Sequence, residues 1–279
     1  MSAGAPPPEA DPSTVIRDLR HRVKRLHRRV LDPDLLRAQL PLRWPSVRRA
    51  AAAPAVRDRT ERFRAASPAY AAACAAGSAP LAGMHAMTLD GLAWSVPLVH
   101  PDNPQLVARA IEHQDFPYRV LTQTRDASIG GTMIDIGANI GRMSIPRIVL
   151  GDAMLAYCAE PDPLNYACLV RNARDNGLEG LVLPDHLAIG AAEGTVRLQR
   201  ASSAGGHRVL AEGASSRREV VEVPCLPLDA WVERVGIDLD QVRFIKVDVQ
   251  GSEVDVLRGA ARTLAQRHIA WQIEVDLET

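Results

Sequence analysis

Between Thr132 and Gly141 the chain reads TMIDIGANIG, an apolar run ending in an acid, then a turn of small residues, then the start of an amphipathic stretch. This order predicts a strand, a tight turn and a helix, with Gly137 and Gly141 supplying the positive φ angles and close approach that a Cβ would obstruct. From Thr132 onward, β-branched and apolar runs alternate with amphipathic stretches, the pattern of a parallel sheet covered by helices on both faces. Strands are expected at 132–136, 154–159, 181–186, 242–248 and 269–275, and helices at 140–150, 162–176 and 251–266. Between the third and fourth strands, GTVRLQR and REVVEVP read as paired extended segments around the loop ASSAGGH, a candidate lid.

The 83–131 segment prepares this core. MTLDGLAWSVPL holds two apolar runs around Asp90-Gly91, a hairpin signal, and NPQLVARAIEHQ reads as a helix with Asn103 at its start and Pro104 in its first turn. Residues 1–82 differ in character. The first 13 are rich in Pro, Ala and Gly and read as a disordered tail. Val15, Leu19, Val23, Leu26 and Val30 then line one face of an Arg-rich helix, and the Pro-broken stretch 41–82 promises only short helices. Formal net charge is zero, yet residues 1–64 hold 15 Lys or Arg against 7 Asp or Glu. A basic arm thus precedes a mildly acidic domain.

Aromatic residues make up only 4% of the chain, which argues against a base-stacking surface, so no nucleic-acid partner is expected. Cys74, Cys158, Cys168 and Cys225 form no CxxC pair and have no His at ligand spacing, so neither a metal site nor a disulfide framework is indicated. Neither a transmembrane run nor a signal peptide is legible, and the expected location is cytoplasmic.

Glu160 ends the second strand 19 residues after Gly141, where an acid can accept hydrogen bonds from both hydroxyls of a ribose. The ligand is a dinucleotide or an adenosyl sulfonium. A dinucleotide calls for GxGxxG to seat its pyrophosphate, and that spacing is absent here. Asp135 at the strand tip would repel phosphate and suit the cationic end of S-adenosylmethionine.

Six segments in order, DIGANIG, AEPDPLNYACLVRN, HLAIGAAEGTVRL, PLDAW, FIKVDVQGSEVDVLRGA and IEV, resemble the successive motifs of the FkbM family of methyltransferases. The resemblance covers residues 132–275, with a fainter echo in the hairpin at 87–99. It implies a class I methyltransferase fold, that is, a Rossmann-like, doubly wound, mostly parallel α/β sheet, here with a helical basic N-terminal extension. It also implies S-adenosylmethionine as donor and O-methylation of sugars, polyketides or related natural products, with a small-molecule or glycan acceptor. By position, Asp135, Gly137, Ala138, Asn139 and Gly141 would line the methionine end of the cofactor and Glu160 its ribose, with Pro161 beside it. Asp185, His186 and Ala188 would lie near the adenine. Two departures stand out. Gln250 replaces the usual Glu, and the chain stops after the fifth strand without the usual final strand pair, so a truncation or a partner strand is expected over that edge. That edge and the N-terminal helix leave room for a homodimer.

Phe244, Lys246 and Asp248 share one face of the fourth strand by the period of two. Lys246 inside a parallel sheet needs a partner, expected to be Glu253 or Glu274. Asp248, at the ligand-binding end of the strand, is the expected base or acceptor-orienting group, with Lys246 tuning it and His207 as the rival base. Two other functions fit less well: a nicotinamide-dependent oxidoreductase, and a cofactor-binding scaffold that has lost catalysis.

Overall fold

A computed structural model describes residues 50–51, 53–77, 83–97, 124, 130–201, 206–210 and 213–274. The expected tail, the basic helix at 15–30 and the helix starting at Asn103 lie outside these residues. Two helices open the described chain, α1 (Pro54–Ala66) and α2 (Pro68–Ala75), each with Pro in its first turn. A hairpin follows, β1 (Met84–Leu89) and β2 (Leu92–Pro97), joined at Asp90-Gly91. Both turn residues have positive φ, 55° and 75°, as a two-residue hairpin turn requires.

The main sheet is built from β3 (Gly131–Ile136), β4 (Ala153–Ala159), β5 (Val182–Asp185), β10 (Val242–Val247) and β11 (Ala270–Ile273). It runs β11-β10-β3-β4-β5 with every pair parallel, the doubly wound order in which the chain reverses beside β3. Strand β3 is buried on both faces. Met133, Ala156, Cys158 and Phe244 face one core, shared with α3 (Ser144–Leu150), α4 (Pro163–Asp175) and the hairpin residues Trp94 and Val96. Ile134, Ile136, Tyr157, Ile245 and Val247 face the other, where Phe63 of α1, Tyr70 of α2 and Trp231 of α5 (Leu228–Val235) pack against them.

A second, four-stranded sheet carries the segment read as an extended pair. It is ordered β6 (Ala188–Gly190), β9 (Val220–Pro227), β7 (Gly194–Gln199), β8 (Arg208–Val209), with β7 and β9 antiparallel. The expected pairing is present. The separate sheet is new, because β6 leaves the main sheet and pairs in parallel with β9.

Two helix boundaries differ from expectation. The first helix starts at Ser144 rather than 140, since Asn139 and Gly141 hold φ of 52° and 90°, outside helical space. The last is split into α6 (Glu253–Arg258) and α7 (Ala261–Leu264). Gly259 passes so close to the backbone of the second sheet that a Cβ there would sit 2.1 Å from the Gly190 carbonyl oxygen. Asp229 then restarts the helix by accepting from the Arg262 and Thr263 amides at 2.6 and 2.9 Å.

Candidate active site

The carboxyl ends of β3, β4 and β10 open onto one groove, lined by Gly137, Asn139, Glu160, Pro161, Ala188, Leu198, His207, Asp248 and Gln250 among others. It measures about 640 Å³ counting the space open to solvent. Its walls are set by local chemistry. The turn after β3 folds back so closely that a Cβ on Gly137, where φ is 74°, would lie 1.8 Å from the Asp248 carbonyl oxygen. Gly141 is less tightly held: a Cβ there would meet the side-chain ends of Leu169 and Ile145 at 2.7 and 2.9 Å, but its φ of 90° still favours glycine. Both glycines are therefore demanded by the protein's own fold, and not by a ligand's approach alone.

Glu160 reaches across the end of β4, one carboxylate oxygen accepting from the Asn139 amide at 2.7 Å and the other from the Asp162 amide at 2.9 Å. Each oxygen keeps a lone pair that a ribose hydroxyl could use. Burial pushes its carboxyl up to about 7, despite the two amide donors that favour the charged form. Asp162 also caps α4, accepting from the Leu164 and Asn165 amides, and pairs with Arg200 of the second sheet at 2.7 Å. This pair ties the second sheet to the groove wall.

Asp135 lies beneath the groove, fully buried and absent from its lining. The Ser144 hydroxyl donates to it, and Lys246 stands 3.4 Å from its other oxygen. That second oxygen receives charge but no hydrogen bond. Lys246 also approaches Asp248 at 3.2 Å and donates to the Gly137 carbonyl at 2.9 Å. Burial alone would lower the Lys246 pKa; the two carboxylates outweigh that and raise it. The partners of Lys246 are thus Asp135 and Asp248, not Glu253 or Glu274. Glu253 instead accepts from the Val249 and Gly251 amides. The reason is register: β10 lies beside β3, and Lys246 is the direct neighbour of Asp135.

Placement bears on three other expected site residues. Asp135 lies buried beneath the groove and shares the single charge of Lys246 with Asp248. Asp185 faces away from the groove: the Ser67 hydroxyl, the Trp231 indole N–H and Arg234 donate to it at 2.6, 2.9 and 2.6 Å. His186 stacks on Tyr166 with ring centroids 4.9 Å apart and contacts the Pro161 carbonyl, outside the groove lining. Ala188 does line it.

His207 reaches the groove, yet its Nδ1 accepts from the Ala201 amide at 2.9 Å, so the neutral ring carries its proton on Nε2, 3.8 Å from Asp162. No lone pair remains for a substrate proton. Asp248 is better placed, with Lys246 on one oxygen and the Gln250 amide donating to the other at 2.9 Å. Gln250 was legible only as a departure from the family pattern; its positive φ of 55° and its contact with Asp248 come from the fold. Leu198 and Val209, which roof the groove from the second sheet, carried no signal beyond strand alternation.

Residues 135–278, just over half of the chain, match the family described as the Methyltransferase FkbM domain. The chain belongs to the FkbM methyltransferase family. Enzymes of this family are S-adenosylmethionine-dependent, and the FkbM groove is lined by the Glu160 carboxyl, a hydrogen-bond acceptor when ionised, and by apolar surface from Leu187, Ala188 and Ile189. Among solved structures the FkbM chain is similar to methyltransferase FkbM from Methylobacillus flagellatus KT, at 22% identity over 51% of this chain and 32% of that one, TM-score 0.36. It is also similar to M. jannaschii TYW2 in complex with AdoMet, at 18% identity over 39% of this chain and 45% of that one, TM-score 0.28. The M. jannaschii tRNA m1G37 methyltransferase matches at 16% identity over 39% of this chain and 31% of that one, TM-score 0.26. The match spans about a third of the length of the M. flagellatus protein. No protein of curated function matches. Among the described residues no helix is long and apolar enough to cross a membrane, and no group of three or more His, Cys, Asp or Glu is arranged to hold a metal ion.

Proposed function

We propose that this FkbM chain methylates a hydroxyl oxygen of a sugar, polyketide or related natural product, using S-adenosylmethionine, in the cytoplasm. One observation carries the reading: Glu160 at the tip of β4 and Asp248 beyond the tip of β10 open onto the same groove, on either side of the β3 turn. Glu160 would hold the ribose, Leu187, Ala188 and Ile189 the adenine, and Gly137 and Asn139 the methionine end. The cofactor supplies an electrophilic methyl carbon on a cationic sulfur. The chain's own task is to align a hydroxyl and take its proton.

Asp248 is the residue for that task. Lys246 and Gln250 fix one oxygen each, and the carboxylate retains further acceptor positions for a hydroxyl. Asp248 would take the proton of the acceptor hydroxyl as its oxygen forms the new C–O bond and the methyl–sulfur bond of the donor breaks, the sulfur leaving as the neutral thioether of S-adenosylhomocysteine. Four free cysteines, three of them buried, are in keeping with a reducing compartment.

Asp248→Asn should bind S-adenosylhomocysteine within a few fold of wild type while turnover falls by about 10²–10⁴-fold. Radiolabelled methyl transfer to fractionated glycans and natural products reads that loss; undiminished turnover would remove Asp248 from the mechanism. Calorimetry separates the classes. Binding of S-adenosylhomocysteine and not of NAD supports methyl transfer, and the reverse pattern refutes it.

A further inference from the structure

Beside the groove lies a second cavity of about 940 Å³, counting the space open to solvent, lined by Gln199, Gly206, Arg208, Arg217, Arg218 and Gln250. Gln250 belongs to both walls, and its amide already touches Asp248. The cavity therefore adjoins the side of the groove where an acceptor hydroxyl would meet its base.

The chemistry of this cavity is one-signed. Among the described residues that line it, three of six are arginines and none is an acid. Among the described residues Arg208, Arg217 and Arg218 make no ion pair, whereas neighbouring Arg200 is held by Asp162 and Glu219. The Arg208 guanidinium is braced by a neutral side chain, and the backbone of Arg218 is tied to the same chain of contacts. Arg208 donates to the Gln199 side chain at 3.2 Å, Gln199 donates to Ser216 at 2.9 Å, and Ser216 accepts from the Arg218 amide at 2.9 Å. All three arginines are exposed, so solvent screens their mutual repulsion, but three like charges around one cavity raise the local potential that an anionic ligand meets. Guanidinium forks also match phosphate oxygens bidentately.

We infer that this arginine cavity is the acceptor's anchoring subsite, and that the acceptor is a hydroxylated small molecule carrying a phosphate or diphosphate group. This rests on the methyl-transfer reading above and narrows its substrate class. The phosphate is held by Arg208, Arg217 and Arg218, and the hydroxyl to be methylated lies on the Gln250 side, toward Asp248. Free phosphorylated sugars and nucleotide-linked sugars share this chemistry.

The full chain is titrated with inorganic pyrophosphate, glucose 1-phosphate, UDP-glucose and unphosphorylated glucose, each in the presence of saturating S-adenosylhomocysteine. Pyrophosphate and at least one phosphorylated sugar should bind, in the millimolar range or tighter, with affinity falling as salt rises, while glucose does not bind. Arg217→Gln/Arg218→Gln should weaken that binding at least tenfold and leave S-adenosylhomocysteine affinity unchanged. Arg243→Gln, an exposed arginine elsewhere, should change neither. A stronger response to UDP-glucose than to glucose 1-phosphate identifies the nucleotide-linked source, and the opposite order the free sugar phosphate. Absence of pyrophosphate binding, retention of it in the double variant, competition with S-adenosylhomocysteine, or preferential capture of a tRNA through the same arginines would each overturn the inference. Failure of S-adenosylhomocysteine to bind would instead strike the cofactor reading itself, which keeps the two failures apart.

Discussion

Lys246 shows how much one side chain can hold in place. It sits between the buried Asp135 and the groove-lining Asp248, and its ammonium also closes the Gly137 carbonyl. Removing one member of a buried ion pair leaves a charge with no compensation, a loss of about 3–5 kcal/mol. Lys246→Met should therefore lower the unfolding free energy by that order in urea titrations, and lower turnover as well because Asp248 loses its tether. Glu160 gives a pH signature of opposite sense to an ordinary carboxylate. Its folded pKa of about 7 lies above its usual value of 4.5, so the folded state keeps a proton that the unfolded state has lost. The contribution is intact below about pH 4.5 and disappears as pH rises through 7, by roughly 3 kcal/mol in all. A ribose hydroxyl needs the ionised form as acceptor. S-adenosylhomocysteine affinity should accordingly rise close to tenfold between pH 6 and pH 8 in wild type, and the rise should vanish in Glu160→Gln.

The β1–β2 hairpin is docked by two asparagines four residues apart, Asn172 on α4 and Asn176 at its C-terminal cap. Asn172 exchanges hydrogen bonds with the backbone of Ser95, and Asn176 does the same with Ala93, so that the helix stands in for a neighbouring strand. Asn172 also donates to the Ile140 carbonyl at 2.9 Å, which couples the hairpin to the turn after β3. Asn172→Ala strands buried backbone groups and should destabilise by about 1–3 kcal/mol. Amide exchange at Ser95 should accelerate ahead of exchange at β3; equal protection in the variant would show the hairpin is held by its apolar face instead. The turn after β3 is less forgiving. Gly137→Ala combines a positive φ with a contact against the Asp248 backbone that cannot yield by side-chain rotation, so loss of several kcal/mol and of cofactor binding is expected.

Both cores share the strands of one sheet, with Trp94 on one face and Trp231 and Trp271 on the other. A layer of this kind cannot melt on one side alone, so tryptophan fluorescence and far-UV circular dichroism should report coincident unfolding of the described core. The alternation of apolar runs already specified this sheet, because strands buried on both faces and helices buried on one leave different periodicities in the chain. The strand tips at Asp135 and Glu160 and the odd Gln250 could likewise be read along the chain, as could the hairpin at Asp90-Gly91. Contacts between residues far apart could not. Lys246 meets Asp135 because β10 is inserted beside β3, Asp185 turns to Trp231 and Arg234 across 46 and 49 residues, and Arg208 of one strand and the adjacent Arg217 and Arg218 of the following loop line one cavity with the distant Gln250. Local pattern determined which residues stand at strand ends. Strand order and long-range packing decided which charges are spent on one another and which are left facing a ligand, since Coulombic pairing depends on distance in space and not on separation along the chain.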